Sequence, residues 1–511
     1  MDEATAIAVI LFVILFPIVM TPVIMSAGGR SDKLRNALSL LTSAVTFVLT
    51  LSLFPVVMRG DVIQLTLFEI LPNLEISIRL DILSFNLGAI ASFIWFLCTI
   101  YSLDYMAEEH GGDRYYPVLM FTLGSCLGIF FAGDFFTLFV FFELMSLISY
   151  ILVVHEETEQ ALKAGYKYLV MTIIGGLALF LGIIITFELG DTVSLGVGSI
   201  IEEVTFLSFL AFACFVIGFG MKAGMFPLHV WLPDAHPVAP SPASALLSGV
   251  MLKTGAYGLF RVVFNAFSIE IMQVNNWDII LGVLAVVTTL LGSAVALTQN
   301  DIKRRLAYSS VGQMGYVLIG LSILNENALT GTMFHIFSHA IMKSCLFLAA
   351  GAIIWKTGKR QISEMGGIGR EMPYTMACFS IAALAMIGIP PLSGFLSKWT
   401  LGLGALDANL TIYAVVLLIS SLLNALYYLP IIVPAFFEII GESEAAEGGS
   451  HGHNQTQVSA LKLKVQDATP KMLAPLIILA LCTFIFGLTP LNIPFDLSQL
   501  TTVFFLEGGI F

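Results

Sequence analysis

Apolar runs of about 20 residues recur along the whole chain, separated by short polar or Gly/Pro-containing segments. A run of this length is what an α-helix needs to cross a lipid bilayer. The pattern therefore predicts an all-α polytopic membrane protein with about fourteen transmembrane helices. The predicted spans are 5–25, 35–58, 80–101, 114–132, 135–154, 164–187, 205–235, 241–264, 278–298, 304–324, 329–354, 374–405, 410–436 and 471–490.

Residues 61–78 depart from this pattern, because apolar and polar residues alternate on both sides of Pro72 and Asn73. Such alternation around a turn-forming pair predicts a β-hairpin between the second and third helices. The chain then divides into four parts. These are 1–112 with predicted helices 1–3 and the hairpin, 113–265 with helices 4–8, 266–436 with helices 9–13, and 437–511 with a cytoplasmic loop and helix 14.

Predicted helices 7 and 12 are interrupted, the first before Pro227 and the second at Pro390 and Pro391. Proline removes a backbone donor and kinks a helix, and the freed backbone is tolerated in a membrane where it lines a cavity. The two breaks are five helices apart, so helices 4–8 and 9–13 form two five-helix units. An odd number of helices per unit gives the units opposite orientations, which predicts an inverted repeat of the kind found in transporters.

The composition agrees with a membrane protein that has little soluble mass, since 58% of the 511 residues are hydrophobic and 11% are charged. A soluble domain carries about 25% charged residues. No basic patch indicates nucleic acid as a partner. The six cysteines are scattered without a CxxC pair, which argues against disulfides and iron–sulfur ligation. No phosphate loop, dinucleotide fingerprint or HExxH motif occurs, so no cofactor is predicted in this chain.

The distribution of Lys and Arg between the loops predicts the orientation in the membrane, because positive residues concentrate on the cytoplasmic side. One set of loops carries only Arg59 and Arg79, with Arg261 near that end of predicted helix 8. With an even number of helices, both termini are then outside the cell membrane. The cytoplasmic side carries Arg30, Lys33, Arg35, Arg114, Lys163, Lys303, Arg304, Arg305, Lys356, Lys359, Arg360, Arg370, Lys462, Lys464 and Lys471.

Five ionisable residues lie inside predicted helices, namely Glu143, Lys222, Lys253, Lys343 and Lys398. A charge at the centre of a bilayer costs about 2.5–3.5 kcal/mol or more, so such residues usually mark an ion pathway. Glu143 can ionise if it pairs with a lysine, and Lys222 lies at the nearest depth. The alternatives are a lone carboxylate bound to a neighbouring helix, and a Lys253 that backbone carbonyls satisfy.

Predicted helix 11 carries His335, His339 and Lys343 with a spacing of four residues. Each step rotates by about 40°, so the three residues lie on one face over about 12 Å. Histidine titrates near neutral pH and can pass protons along such a face. The alternatives are that the residues only fasten the helix to its neighbours, or that they bind a metal, for which this helix offers no carboxylate or cysteine.

Two further groups of polar residues leave their role open. His229, Asp234 and His236 lie in the cytoplasmic segment between predicted helices 7 and 8, and they are either a route for proton uptake or a satisfied polar cap. His451 and His453 lie in the acidic loop 441–469, where a solvated linker is favoured over a metal site.

The motifs at these residues resemble those of the antiporter-like subunits of respiratory complex I and its relatives, the membrane-bound [NiFe] hydrogenases and multisubunit sodium/proton antiporters. The resemblance covers nearly the whole chain. It is carried by 222–261, by Phe141-Phe-Glu143-Leu-Met-Ser, by the helix-11 residues, and by Pro390-Pro-Leu-Ser-Gly-Phe-Leu-Ser-Lys398. It implies a fourteen-helix fold with two inverted five-helix repeats.

The resemblance also implies roles in proton translocation. Glu143 and Lys222 would form a charge-switching pair, Lys253 would be a relay, and Lys398 would be the far titrating site. The helix-11 residues would link the last two. M-type subunits of complex I carry Glu at the position of Lys398, so this chain departs from them there. The long lateral helix of L-type subunits is not expected after Phe511, which is a departure from the L-type. A hydrogenase-like or ferredoxin-driven complex fits both departures.

Two hypotheses of function therefore follow. In the first, the chain is an ion-pumping subunit of a redox-driven complex of the NADH:quinone oxidoreductase or hydrogenase type. Its partners are then other membrane subunits, peripheral redox subunits with iron–sulfur clusters, lipids, and protons, with sodium left open. In the second, the chain belongs to a stand-alone sodium/proton antiporter without redox chemistry. A membrane scaffold is disfavoured, because five charges at membrane depth are costly.

Overall fold

The apolar runs fold into α-helices, and the computed structural model describes residues 2–196, 198–437, 467–488 and 493–507. The N-terminal part holds α1 (Glu3–Gly28), α2 (Asp32–Ser52), α3 (Phe54–Val57), the strands β1 (Ile63–Leu71) and β2 (Leu74–Leu80), and α4 (Ile82–Tyr105). The next helices are α5 (Gly112–Phe130), α6 (Phe135–Val153), α7 (Glu159–Gly190), α8 (Phe206–Ala223), α9 (Leu232–Val238), α10 (Ser241–Leu246), α11 (Leu252–Arg261) and α12 (Ile269–Val274). The last helices are α13 (Trp277–Thr298), α14 (Ile302–Ile323), α15 (Glu326–Thr357), α16 (Ile368–Glu371), α17 (Pro373–Ile387), α18 (Ser393–Asp407), α19 (Thr411–Phe437), α20 (Pro470–Leu488) and α21 (Ile493–Leu506).

The all-α polytopic fold predicted from the apolar runs is confirmed. Within the described ranges, 12 helices are long and apolar enough to cross a membrane, and α17 and α21 are shorter apolar helices. Every predicted span falls on one or more of the helices. The inverted relationship between the two five-helix units stays a prediction.

Helix α21 was not predicted from the sequence, which gave no sign of an element after helix 14. It has 14 residues, too few for a membrane span, and its apolar pattern was therefore not recognised. Its polar side packs on the interior, where the Asn86 amide donates to Thr501 Oγ1 over 2.7 Å. The hydroxyl of Thr330 contacts that of Thr502 over 3.1 Å. These contacts fix α21 against α4 and α15.

Both predicted helix breaks are present, and each follows a glycine with positive φ. Helix α8 ends at Gly224 (φ 74°), and a short 3-10 turn, Leu228–Trp231, leads into α9. Helix α17 ends at Gly388 (φ 95°), and α18 begins at Ser393. This left-handed conformation is open to glycine without steric cost. The breaks leave carbonyl groups of the last helical turn free to accept hydrogen bonds from side chains.

Predicted helix 8 is not a regular α-helix. Between α10 and α11 lies a π-helical turn, Leu247–Met251, and a second one, Val262–Ala266, follows α11. A π-turn widens the helix and shifts the backbone hydrogen bonds, and such turns occur often at functional sites. The stretch Ser241–Ala266 is almost completely enclosed by the rest of the protein.

Helices α14 and α15 form the centre of the molecule, and nearly all their residues are buried. Around α15 pack α4, α10, α14, α17, α18, α20 and α21. Helices α1 and α2 lie at the periphery, where more than half of the residues of each are at least partly exposed. The polar residues of α14 and α15 are therefore held inside protein rather than in lipid.

The predicted hairpin is confirmed and is anchored to the helices. Strands β1 and β2 pair antiparallel, with Ile63 opposite Leu80, around a turn in which Asn73 has a φ of 65°. The amide of Arg79 donates to Phe131 O over 2.8 Å, and the amide of Gly133 donates to Ser77 O over 2.8 Å. The hairpin thus holds the turn between α5 and α6, from which Glu143 follows two turns later.

Candidate functional site

Lys222 lies in the last turn of α8, at the first helix break, and is completely buried. Its Nζ donates to Ser146 Oγ over 3.0 Å and to Tyr168 OH over 2.7 Å. The ring centres of Phe142, Tyr168 and Trp231 lie 4.9–5.9 Å from this nitrogen. Hydroxyl oxygens and aromatic faces together replace water around the ammonium, which allows a cation to be held in this position.

Glu143 does not form the predicted ion pair with Lys222. Among the salt bridges of the described residues none joins these two side chains, because Lys222 is turned towards α6 and α7 hydroxyls. Glu143 is half-buried, and its Oε1 has no hydrogen-bond partner among the described residues. It packs on Gly176 of α7, where a Cβ atom would lie 2.3 Å from Oε1. The glycine leaves room for the carboxylate.

Lys253 begins α11 directly after the first π-turn and is buried. Its Nζ donates to Ser248 O over 2.6 Å and contacts His339 Nδ1 over 2.9 Å. The carbonyl belongs to the π-turn, whose shifted hydrogen bonds bring it within reach of the side chain five residues later. Lys253 thus donates to a backbone carbonyl and also contacts a titratable side chain.

The three residues of the stripe on α15 are all completely buried, as their spacing predicts for an inward face. The rings of His335 and His339 are nearly parallel, with centres 5.8 Å apart and an angle of 8°. Lys343, about one turn beyond His339, donates to Leu306 O over 2.8 Å and also to the Ser309 hydroxyl. The stripe therefore contacts α11 through His339 and α14 through Lys343.

Both histidines of the stripe use Nδ1 for their direct contact. His339 Nδ1 lies 2.9 Å from Lys253 Nζ. His335 Nδ1 lies 3.0 Å from Ser397 Oγ, which is also 3.0 Å from Gly394 O. Both Nε2 atoms lack a partner among the described residues. An imidazole can accept a proton on one nitrogen and release one from the other, so each ring can pass a proton along the stripe by way of water.

Lys398 lies in the second turn of α18, just beyond the second helix break. Its Nζ donates to Met386 O over 2.7 Å, to Ile387 O over 3.1 Å and to Ser421 Oγ over 3.1 Å. The two carbonyls belong to the last turn of α17, which the break leaves without helical partners. Three acceptors match the three hydrogens of an ammonium group. Beside Lys398 a largely apolar groove of about 300 Å³ opens on the surface.

The polar residues between α8 and α10 were predicted to be either a route for proton uptake or a satisfied polar cap, and the structure places them in different environments. Asp234 accepts from Lys167 over 2.8 Å and from Arg304 over 3.1 Å, so it is a satisfied surface cap. His236 is completely buried against Phe347, with ring centres 4.6 Å apart. Neither of its nitrogens has a partner among the described residues, and Nδ1 of His229 also lacks one. His451 and His453 lie outside the described residues.

A polar cavity of about 730 Å³ lies beside this segment, with Asp234, Lys303 and Arg360 in its wall. Glu109 and Glu156 also line it, and in the part of the chain that the structure describes their carboxylates and the His110 ring come within 4.8 Å of one another. Burial, and then the Glu156 carboxylate, raises the pKa of Glu109. The cluster contains none of the five ionisable residues of the predicted helices and neither histidine of α15.

The neutral side chains that hold the lysines were not predicted from the sequence. Ser146 and Tyr168 bind Lys222, Ser397 binds His335, and Ser421 binds Lys398. A hydroxyl in an apolar helix is a weak signal, because it can be satisfied by a carbonyl of its own helix, as the Thr186 hydroxyl is by Gly182 O. These residues could be identified only through the helix packing.

Known proteins are similar to this chain over most of its length. Residues 132–424 match the family described as "NADH:quinone oxidoreductase/Mrp antiporter, TM". The chain is 33% identical to NADH-quinone oxidoreductase subunit N of Desulforudis audaxviator, over 82% of this chain and 83% of that protein. It is 35% identical to hydrogenase-4 component B of Escherichia coli, over 72% and 57%. It is 32% identical to a subunit of the Na(+)/H(+) antiporter of Alkalihalophilus pseudofirmus, over 80% and 79%.

Solved structures share the fold over almost the full length. A chain of the Mrp complex from Dietzia sp. superposes with a TM-score of 0.85 at 23% identity, covering 98% of both chains. A chain of respiratory complex I from Thermus thermophilus superposes with a TM-score of 0.79 at 24% identity, covering 96% of this chain and 99% of that one. Both neighbours are chains of multisubunit membrane complexes.

Proposed function

The chain belongs to the NADH:quinone oxidoreductase/Mrp antiporter family of membrane subunits, and from this premise we propose that it is the ion-translocating, antiporter-like subunit of a redox-driven, complex I-related respiratory complex. The transported ion is the proton. The complex is of the hydrogenase-like or ferredoxin/NADH-driven type. The chain itself carries no redox centre in this proposal, and peripheral partner subunits with iron–sulfur clusters supply the electron transfer.

The observation that carries this proposal is the direct contact of Lys253 with His339, and the continuation of that line through His335 to Ser397, the neighbour of Lys398. These groups are buried in the centre of a membrane protein, where charge is costly and ionisable residues serve ion pathways. Each has a partner that can exchange a proton with it. If the network had only a structural role, neutral amide side chains could form it equally well.

We assign roles in proton translocation to seven residues, namely Glu143, Lys222, Lys253, His335, His339, Lys343 and Lys398. Glu143 and Lys222 control proton uptake in the first five-helix unit, and Lys253 is the relay to the second. The residues on α15 conduct the proton, and Lys398 is the far titrating site. The two units, helices α5–α11 and α13–α19, are in this proposal inverted repeats, with the breaks after Gly224 and Gly388 in corresponding positions.

A second candidate is a subunit of a stand-alone sodium/proton antiporter. The 32% identity to a sodium/proton antiporter subunit over about four-fifths of both chains supports it, as does the fold shared with a chain of an Mrp complex. The two candidates use the same buried line and differ in what drives it. In the first, electron transfer in partner subunits drives the transport, whereas in the second sodium and protons are exchanged without electron transfer.

Isolation of the complex from its native membrane separates the two candidates. The subunit carries an affinity tag, the complex is solubilised in mild detergent, and iron, acid-labile sulfide and nickel are measured with the identities of the co-purifying chains. A redox-driven complex contains iron and sulfide in a fixed ratio to this subunit. A complex of membrane subunits alone, free of iron and sulfide, that exchanges sodium for protons in liposomes would replace the first candidate by the second.

A further inference from the structure

Between His335 and Lys398 lies Tyr316 of α14, which touches both. Its ring centre is 5.3 Å from that of His335, and Lys398 Nζ lies 5.0 Å from the same ring centre. Tyr316 is completely buried. The one polar atom of this side chain, its hydroxyl oxygen, has no hydrogen-bond partner among the described residues.

The Tyr316 hydroxyl is not in an apolar environment. Polar side chains of α14 and α19 come close to it without forming an aligned hydrogen bond, and these are Gln313, Ser420, Ser421 and Asn424. Gln313 is also completely buried, and both its Nε2 and its Oε1 lack a partner among the described residues. Unpaired polar atoms are rare in protein interiors, and where several meet they are commonly satisfied by ordered water.

These polar side chains are adjacent to two of the titratable groups. On one side Ser421 Oγ accepts from Lys398 over 3.1 Å, and Asn424 shares the acceptor Met386 O with that lysine. On the other side the His335 ring packs on Tyr316. The direct contact of His335 with Ser397 uses Nδ1 and leaves Nε2 without a partner among the described residues.

We propose that Tyr316 is a proton-relay residue that joins His335 to Lys398 through water bound among these polar side chains. The inference rests on the proposed function and names a step within it. A protonated His335 gives its Nε2 proton to a water molecule, which passes one of its own protons to the Tyr316 oxygen. The phenol releases its hydroxyl proton through water to the neutral amine of Lys398. His335 becomes neutral, Lys398 becomes an ammonium, and water and phenol are unchanged.

The test uses the complete complex in liposomes and measures proton flux during turnover, driven by electron transfer if the isolated complex contains iron–sulfur subunits and by an imposed sodium gradient if it does not. Tyr316→Phe removes the hydroxyl and keeps the ring over Lys398. We expect the flux to fall by at least about tenfold, since one hydrogen bond to a charged group at the barrier is lost. The residual flux should show a changed H₂O/D₂O ratio, which a merely structural effect would not produce.

Tyr101→Phe is the matched control, because it also removes a buried hydroxyl, one that donates to Leu348 O over 2.8 Å away from the titratable line. It should keep its flux and its isotope ratio. Gln313→Leu removes polar atoms that can hold the relaying water and should lower the flux as Tyr316→Phe does, whereas Gln313→Glu, which can still hydrogen-bond that water, should retain more flux than Gln313→Leu.

Lys398→Met separates failure of this inference from failure of the proposed function. If Lys398→Met abolishes the flux while Tyr316→Phe conducts normally with an unchanged isotope ratio, the relay through Tyr316 is refuted and the function stands. If Lys398→Met also conducts normally, the line itself is not the pathway and both proposals are overturned. Loss of flux in Tyr316→Phe that accompanies failure of the complex to assemble would identify Tyr316 as structural and would refute the relay.

Discussion

The ammonium of Lys253 on α11 and Nδ1 of His339 on α15 are 2.9 Å apart. Through this contact the last helix of the first five-helix unit meets the central helix of the second. Lys253 is held there by the carbonyl of Ser248, which the π-turn exposes. In the proposed pathway this single side-chain contact joins the two units, which makes the pair the most direct place to test the proposal.

His339→Gln should assemble normally and lose transport. The glutamine oxygen can still accept from Lys253, so the cost in stability should stay near about 1 kcal/mol. The amide does not titrate between pH 5 and 8, whereas histidine does. We expect proton flux during turnover to fall at least about tenfold, because a positioned group that can take up and release a proton is lost. His110→Gln, at an exposed position, serves as the control. Near-normal flux in His339→Gln would show that the histidine only fastens α15.

Glu143→Gln should leave stability nearly unchanged, because the structure has no Glu143–Lys222 ion pair to break. Loss of one partner of a buried pair would instead cost about 3–5 kcal/mol. If the pair forms during turnover, flux should still be impaired in Glu143→Gln and in Lys222→Ala. Thermal unfolding in detergent and flux in liposomes give the two readouts. Full flux in either variant would remove the pair from the mechanism.

Asp81→Asn should strongly destabilise the protein. Asp81 binds Arg79 over 2.9 Å and Arg261 over 2.8 Å, and all three side chains are buried. Burial alone would raise the pKa of Asp81, but Arg261 and Arg79 lower it below its ordinary value. The asparagine can still cap α4 but leaves Arg261 without a counter-charge, at a cost of about 3–5 kcal/mol.

Denaturant unfolding of the purified complex measures this cost. Asp61→Asn is the control, because its 2.8 Å bridge to Arg59 is at the surface and should contribute less than about 1 kcal/mol. Equal stability of the two variants would show that the buried arginine finds another partner or is reached by water.

His155 should make the loop between α6 and α7 sensitive to acid. Its Nε2 lies 2.9 Å from His110 O, and burial lowers the pKa of His155 to about 4. The unfolded state, with a pKa of about 6.5, then binds more protons than the folded state between these values. The stability that the neutral ring contributes is complete above pH 6.5 and is lost as the pH falls towards 4, by up to about 3 kcal/mol. The protection factors for hydrogen exchange of 154–158, which correct for the intrinsic pH dependence of exchange, should fall as the pH is lowered over this range in the wild type and less so in His155→Gln.

The predicted topology can be checked with single cysteines and a membrane-impermeant maleimide. Because Lys and Arg concentrate on one side, Ser450→Cys in the loop 437–470 should be unreactive in intact cells and reactive in inverted vesicles. Glu69→Cys on the exposed strand β1 should show the opposite behaviour. Labelling of position 450 from outside would reverse the orientation and place both termini in the cytoplasm.

The sequence alone determined the helices, their breaks and the five ionisable residues, because each is a local property. Length and apolarity of a run decide whether it crosses a membrane, and glycine and proline decide where it is interrupted. The spacing of His335, His339 and Lys343 fixed their common face for the same reason. Helix α21 was not predicted in this way, because a helix of 14 residues is too short to be recognised as a membrane span.

Only the tertiary structure decided which groups these residues contact, because the rotation and separation of neighbouring helices are not encoded by local pattern. Lys222 was expected beside Glu143, yet the packing of α6, α7 and α8 turns it to Ser146 and Tyr168. The same packing brings Tyr316 between His335 and Lys398, although nothing in its sequence neighbourhood distinguishes it from other buried tyrosines. A charge at membrane depth reveals that a partner must exist, since its desolvation is costly. Which partner it finds depends on helices far apart in the chain.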